Sequence, residues 1–99
     1  MVEYSMTKFE GLFNAVLKLE TIEDCRKFFE DVCTIKELKD VQQRLEVAAL
    51  LKSGKNYREV GEATGASTAT ICRVNKCLVY GSGGYELALG GQNGEEKNG

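Results

Sequence analysis

The densest run of side chains able to do recognition chemistry is Ser67-Thr68-Ala69-Thr70, followed by Arg73 and Lys76. Small polar side chains let a helix approach a DNA major groove closely. There Ser and Thr bond base edges or phosphates, and a basic side chain one or two turns on reaches phosphate or guanine. Lys55, Tyr57 and Arg58, at the start of the preceding helix, complete the candidate DNA-contacting set of Lys55, Tyr57, Arg58, Ser67, Thr68, Ala69, Thr70, Arg73 and Lys76. The competing reading of these residues is a solvated helix face.

Other chemistries find less support. With no histidine, the usual general base near neutral pH and the commonest metal ligand are both missing. Cys25, Cys33, Cys72 and Cys77 lie eight and five apart within their pairs, which matches no CxxC knuckle, so no metal site is expected. Buried, reduced thiols on apolar helical stripes are the simpler expectation. Oxidation of Cys72 as a switch in the recognition helix requires an exposed, low-pKa thiolate. The adjacent acids Glu23-Asp24 and Glu30-Asp31 read as helix-start and solvated-face residues. No phosphate-cradling glycine motif is present, and no cysteine has an adjacent base to activate it. No enzyme is expected.

The elements that must position these residues are helical. Phe9, Leu12, Phe13, Val16 and Leu17 recur at helical spacing and predict a first helix over 4–19. Thr21 with Asp24 predicts the cap of a second, whose stripe is Ile22, Cys25, Phe28, Phe29 and Val32, ending near Cys33. Thr34 with Glu37 opens a third, with Ile35, Leu38, Val41, Leu45 and Ala48 on one face, Val47, Leu50 and Leu51 beyond it, and Gly54 as the stop. Asn56 with Glu59 starts a short helix over 57–64, Gly65 supplies the positive φ of a turn, and Ser67 caps a helix over 68–79. Val60, Ala63, Ala66, Ile71 and Val74 are expected inside this pair, and Gly61 is expected to let the two helices approach closely. This is a helix-turn-helix over 56–79. Beyond Gly81-Ser82-Gly83-Gly84, the segment Tyr85 to Leu89 fits either a strand or a helical turn, and the helix is preferred.

Ninety-nine residues with 42% hydrophobic and 28% charged residues and no proline make one small globular domain, taken as 1–89, with a flexible glycine-rich tail over 90–99. The apolar run Val47–Leu51 is far shorter than the roughly 20 residues that span a bilayer, and Glu3 stands where a signal peptide would be basic. The chain reads as cytoplasmic, without membrane contact. Its net charge of −2 conceals a pattern. Residues 1–53 carry 8 basic and 10 acidic side chains, 54–80 carry 4 and 2, and 81–99 carry 1 and 3, so only the helix-turn-helix is net positive.

Residues 43–78, and in particular Tyr57-Arg58-Glu59-Val60 and Gly65-Ala66-Ser67-Thr68-Ala69-Thr70-Ile71-Cys72-Arg73, resemble the Trp repressor family, closest to its TrpR-like YerC/YecD branch. The likeness extends to Phe28-Phe29-Glu30-Asp31-Val32-Cys33-Thr34 and to Asn75-Lys76-Cys77-Leu78, Tyr80 and Gly81. It implies an all-α, six-helix, intertwined homodimer that presents two recognition helices to successive major grooves of a palindromic operator. Helix faces too apolar for one chain to hide agree with a dimer. A two-fold would set those helices about 34 Å apart, one turn of DNA.

The resemblance also implies an L-tryptophan site, whose residues map to Arg73, Cys77, and Arg44 or Gln43 depending on the register of the loop before Tyr57. Here the sequence departs from the pattern. Val74 stands where the tryptophan-binding members have glycine, and Cys77 where they have a serine that bonds the ligand's ammonium group. These departures weigh against tryptophan, so no cofactor is expected, and regulation by another effector or by none is preferred. Two functions remain: a sequence-specific DNA-binding regulator, read as a repressor, and a helical interaction module whose helix-turn-helix contacts protein. The acidic pI near 5.2 favours the second, and the charge and cap placement in 54–80 the first.

Overall fold

The computed structural model describes residues 6–90, which form a 3₁₀ turn, Met6–Phe9, and six α-helices. These are α1 (Glu10–Leu17), α2 (Ile22–Val32), α3 (Ile35–Lys52), α4 (Tyr57–Thr64), α5 (Thr68–Tyr80) and α6 (Gly84–Ala88). No strand occurs among the described residues, as expected of an all-α chain. Of the tail expected at 90–99, only Gly90 is among them.

Each interior helix starts where its side chains supply a cap. The Thr21 hydroxyl accepts from the Asp24 amide at 3.0 Å, while the Asp24 carboxylate accepts from the Glu20 amide at 3.1 Å. At α3 the Thr34 hydroxyl and Glu37 carboxylate cap each other's backbone amides at 3.1 and 2.8 Å. Asn56 and Glu59 do the same for α4 at 2.8 and 2.9 Å. These reciprocal pairs satisfy amides that the helix itself cannot. Gly54, at φ +98°, closes α3 with the Lys55 amide donating to the Leu50 carbonyl and its own amide to Leu51.

The first helix is shorter than its apolar spacing predicts. Tyr4 lies outside the described residues, Met6–Phe9 is 3₁₀, and Phe9 enters α1 with no side-chain cap. With Gly11 just inside, the α-helical register begins only at Glu10. It also ends early, because the Lys18 and Leu19 amides bond three residues back, to Ala15 and Val16.

The contacts divide the chain into two compact units, meeting between Leu38 and Lys39 inside α3. The first contains the 3₁₀ turn, α1 and α2, none of which has a buried residue. Its aromatic rings pair locally, Phe9 with Phe13 at 6.5 Å between centroids and Phe28 edge-on to Phe29 at 5.1 Å. Leu17 (80% exposed), Ile22 (85%) and Val32 (57%) remain open to water.

The second unit holds the core. Val47 and Ala48 of α3, Val60 of α4, Ala66 of the turn, and Ile71 and Val74 of α5 are buried together, with Leu50, Leu51, Leu78, Tyr85 and Leu89 packed against them. Tyr85 and Leu89, one helical turn apart, bring α6 to this core, which is why the segment is helical, while Leu87 points away and is 84% exposed. Lys52 reinforces the arrangement by donating to the Glu86 carboxylate at 2.6 Å. Ala63, expected inside, is exposed, because Val60 and the half-buried Thr64 occupy the core side of α4. The cysteines also depart from expectation. Cys25, Cys72 and Cys77 are exposed and Cys33 half-buried, since the stripe of α2 is uncovered and α5 turns Ile71, Val74 and Leu78 to the core.

Candidate nucleic-acid interface

The helix-turn-helix is set by three local devices. Gly65 adopts φ +75°, a conformation that costs an L side chain energy but not glycine. Thr64 Oγ1 donates to the Val60 carbonyl at 2.8 Å and accepts from the Ala66 amide at 3.1 Å, tying the end of α4 to the turn. Ser67 Oγ then accepts from the Thr70 amide at 3.1 Å and starts α5. Gly61 does not provide a close approach: a Cβ there would meet the Ala66 carbonyl and Ile71 Cδ1 at 3.7 Å, ordinary contact distances.

With Ile71 and Val74 turned to the core, α5 presents Thr68, Ala69, Cys72, Arg73 and Lys76 to solvent. This spacing of i, i+1, i+4, i+5 and i+8 is one face of a helix, about 12 Å long at 1.5 Å per residue. The helix contains no acidic residue from Thr68 to Tyr80. Arg73 and Lys76 have no ion-pair partner among the described residues, so both charges are available to an anion. The unopposed positive end of the helix macrodipole adds to them.

The other candidates divide. Ser67 and Thr70 are occupied with each other, their hydroxyls 3.1 Å apart beneath the cap, and Thr70 is half-buried. They build the leading edge, and Thr68 and Ala69 form its surface. Arg58 pairs with Glu62 one turn on at 3.3 Å, an exposed pair that sets an acid beside its charge. Lys55 lines a shallow cleft with Leu50, Glu59, Glu62 and Ala63, so two acids share its setting, and Tyr57 is 39% exposed. Cys72 also stands on this exposed face, although its residue type alone points to thiol chemistry rather than to DNA contact. Its spacing of i+4 from Thr68 was the available signal.

The candidate ligand residues stand in different settings. Gln43 Nε2 donates to the Thr64 carbonyl at 3.1 Å. Arg44 is half-buried and Arg73 exposed. Cys77 lines an open, mainly apolar groove of about 450 Å³ with Leu45, Gly81, Ser82, Gly84, Tyr85 and Ala88, to whose lining Gln43, Arg44 and Arg73 do not contribute. Val74, 1% exposed, is part of the core. No cluster of three or more Cys, Asp or Glu among the described residues is placed to hold a metal. No helix among them is long and apolar enough to cross a membrane.

Helical caps, a glycine turn and an acid-free exposed helix face define a helix-turn-helix protein. The chain belongs to the Trp repressor protein family, whose pattern it matches over residues 7–93. It is 51% identical over 80 residues to the uncharacterized protein YerC of Bacillus subtilis, covering 81% of this chain and 77% of that one. Among solved structures, a TrpR-like protein from Eubacterium eligens is 45% identical, with a TM-score of 0.81 over 92% of this chain and 94% of that one. A Staphylococcus aureus protein provisionally called a Trp repressor is 39% identical, with a TM-score of 0.83 over 97% and 100% of the two chains.

Proposed function

We propose that the protein is a sequence-specific transcriptional regulator that binds double-stranded DNA as a homodimer, through a palindromic operator read by α5. The observation that carries this reading is the exposed, acid-free face of Thr68, Ala69, Cys72, Arg73 and Lys76. Thr68, Ala69 and Cys72 approach base edges, while Arg73 and Lys76 bind phosphate. A two-fold pair brings two such faces to one side and doubles their charge, which makes an acidic chain compatible with DNA binding. The mode of action is repression by occupancy, and the place is the cytoplasm.

Tryptophan control is not part of the proposal. Val74 fills the core where a glycine would leave room, Gln43 is engaged by the backbone, and Cys77 lies in an open groove. The test is selection of random duplex DNA by the purified protein with and without millimolar L-tryptophan. The expected result is one palindrome enriched equally in both arms, with affinity falling steeply as salt rises. A palindrome that needs tryptophan would overturn the effector-free reading. The absence of any enrichment would transfer the function to a protein-binding module, the reading favoured by the Arg58–Glu62 and Lys55–acid neighbourhoods on α4.

A further inference from the structure

We infer that Gln43 is a positioning residue for α5, acting from α3 through the helix-turn-helix turn rather than as a ligand clamp. The effect on DNA rests on the proposal that α5 reads it, while the effect on the turn does not. The last carbonyls of a helix have no partner within it, and one shielded from water carries a penalty if left unpaired. Thr64 is the last residue of α4, and its carbonyl accepts from Gln43 Nε2, 21 positions earlier in the chain, in a half-buried setting. The hydroxyl of the same threonine bonds the Val60 carbonyl and the Ala66 amide. Thr64 is thus fixed to α4 by its side chain, to the turn by the same oxygen, and to α3 by its carbonyl.

The three residues after Thr64 extend this anchorage to α5. Gly65 turns the chain with φ +75°, Ala66 is buried, and Ser67 caps α5, so Thr68 and Ala69 stand directly beyond a short, fully specified segment. Gln43 lies one turn before Val47, which is completely buried, so its amide emerges at the edge of the core and reaches the turn from the same helix face. A change at Gln43 therefore displaces the leading edge of α5 without removing any group that faces solvent on it.

The test compares the full-length protein with Gln43→Met, which keeps the length of the side chain and lacks the donor. Gln43→Glu, which keeps the shape and puts an acceptor where a donor is needed, is the second variant. Amide hydrogen exchange is followed at Ala66, beside the turn, and at Val47 and Ala48 in the core. Affinity and its salt slope are measured on the duplex enriched from a random pool. The expected result is exchange at Ala66 roughly five- to tenfold faster in both variants, with Val47 and Ala48 unchanged. Affinity falls by a similar factor and the salt slope stays constant, because no phosphate contact is lost.

Wild-type exchange at Ala66 would overturn the inference. So would equal acceleration of the core amides, which would make Gln43 a residue of general stability. A salt slope shallower by about one unit per subunit, roughly two for the homodimer, with unchanged exchange would make it a phosphate contact instead. Faster exchange at Ala66 with unaltered affinity would overturn the link to DNA. If the wild-type protein binds no duplex, the reading of α5 fails, and the exchange data still decide whether Gln43 holds the turn.

Discussion

Arg73 and Ser67 sit six residues apart on the same helix and illustrate two ways in which a polar side chain serves an interface. Arg73 is exposed and unpaired among the described residues, so Arg73→Ala should weaken duplex binding across sequences and flatten the log–log salt dependence by about 0.9 per subunit, roughly 1.8 for a homodimer that loses two phosphate contacts. Titrations at several salt concentrations check this, and an unchanged slope would remove Arg73 from the phosphate contacts. Ser67 is a cap, so Ser67→Ala should cost about 1 kcal/mol in denaturant unfolding while leaving the salt slope intact. Caps were legible in the sequence because they depend on residues three apart. The shared hydroxyl bond of Ser67 and Thr70 was not, since it turns on rotamers that spacing does not specify. The exposure of Cys25, Cys72 and Cys77 was hidden for a related reason: an apolar stripe gives a direction, and only a covering layer makes it an interior.

At the scale of elements, two glycines differ in whether a side chain would fit. Gly61 lies inside α4 with room for a methyl group, so Gly61→Ala should leave stability unchanged or raise it by up to about 1 kcal/mol. Thermal or denaturant melts read this out, and a loss would show that α4 and α5 tolerate no further atom between them. Gly81 ends α5, and a Cβ there would lie 2.4 Å from the Cys77 carbonyl, so the backbone must shift to admit alanine. Gly81→Ala should therefore destabilise the protein and detach α6, seen as faster exchange at the Leu89 amide, which bonds the Tyr85 carbonyl. The limits of α3, α4 and α5 were legible to within a residue because capping pairs and glycine stops frame them. The start of α1 was not, because Phe9 continues the apolar spacing while offering no cap, and Gly11 just inside lowers helix propensity.

For the whole molecule, the apolar residues that remain exposed are the governing fact. Leu12, Phe13, Leu17, Ile22, Val32, Ile35 and Val41 are each at least 40% exposed, more apolar surface than an isolated small domain usually leaves open. Sedimentation should give twice the 10.9 kDa chain mass, and the thermal midpoint should fall on dilution, as it does when folding and association are linked. A monomer mass with a concentration-independent midpoint would remove the dimer. The division at Leu38 and Lys39 could not be read from the sequence, because α3 runs through it without interruption. The unit beyond that division bears on any attempt to move its helix-turn-helix onto another scaffold. Two of the six core residues, Val47 and Ala48, belong to α3, and so does the donor that holds Thr64. Residues 56–80 excised alone would carry the N-caps Asn56 and Ser67 but strip Val60, Ile71 and Val74 of the α3 residues packed with them, so the helix-turn-helix is not a portable cassette; the smallest transplantable piece begins at Gln43.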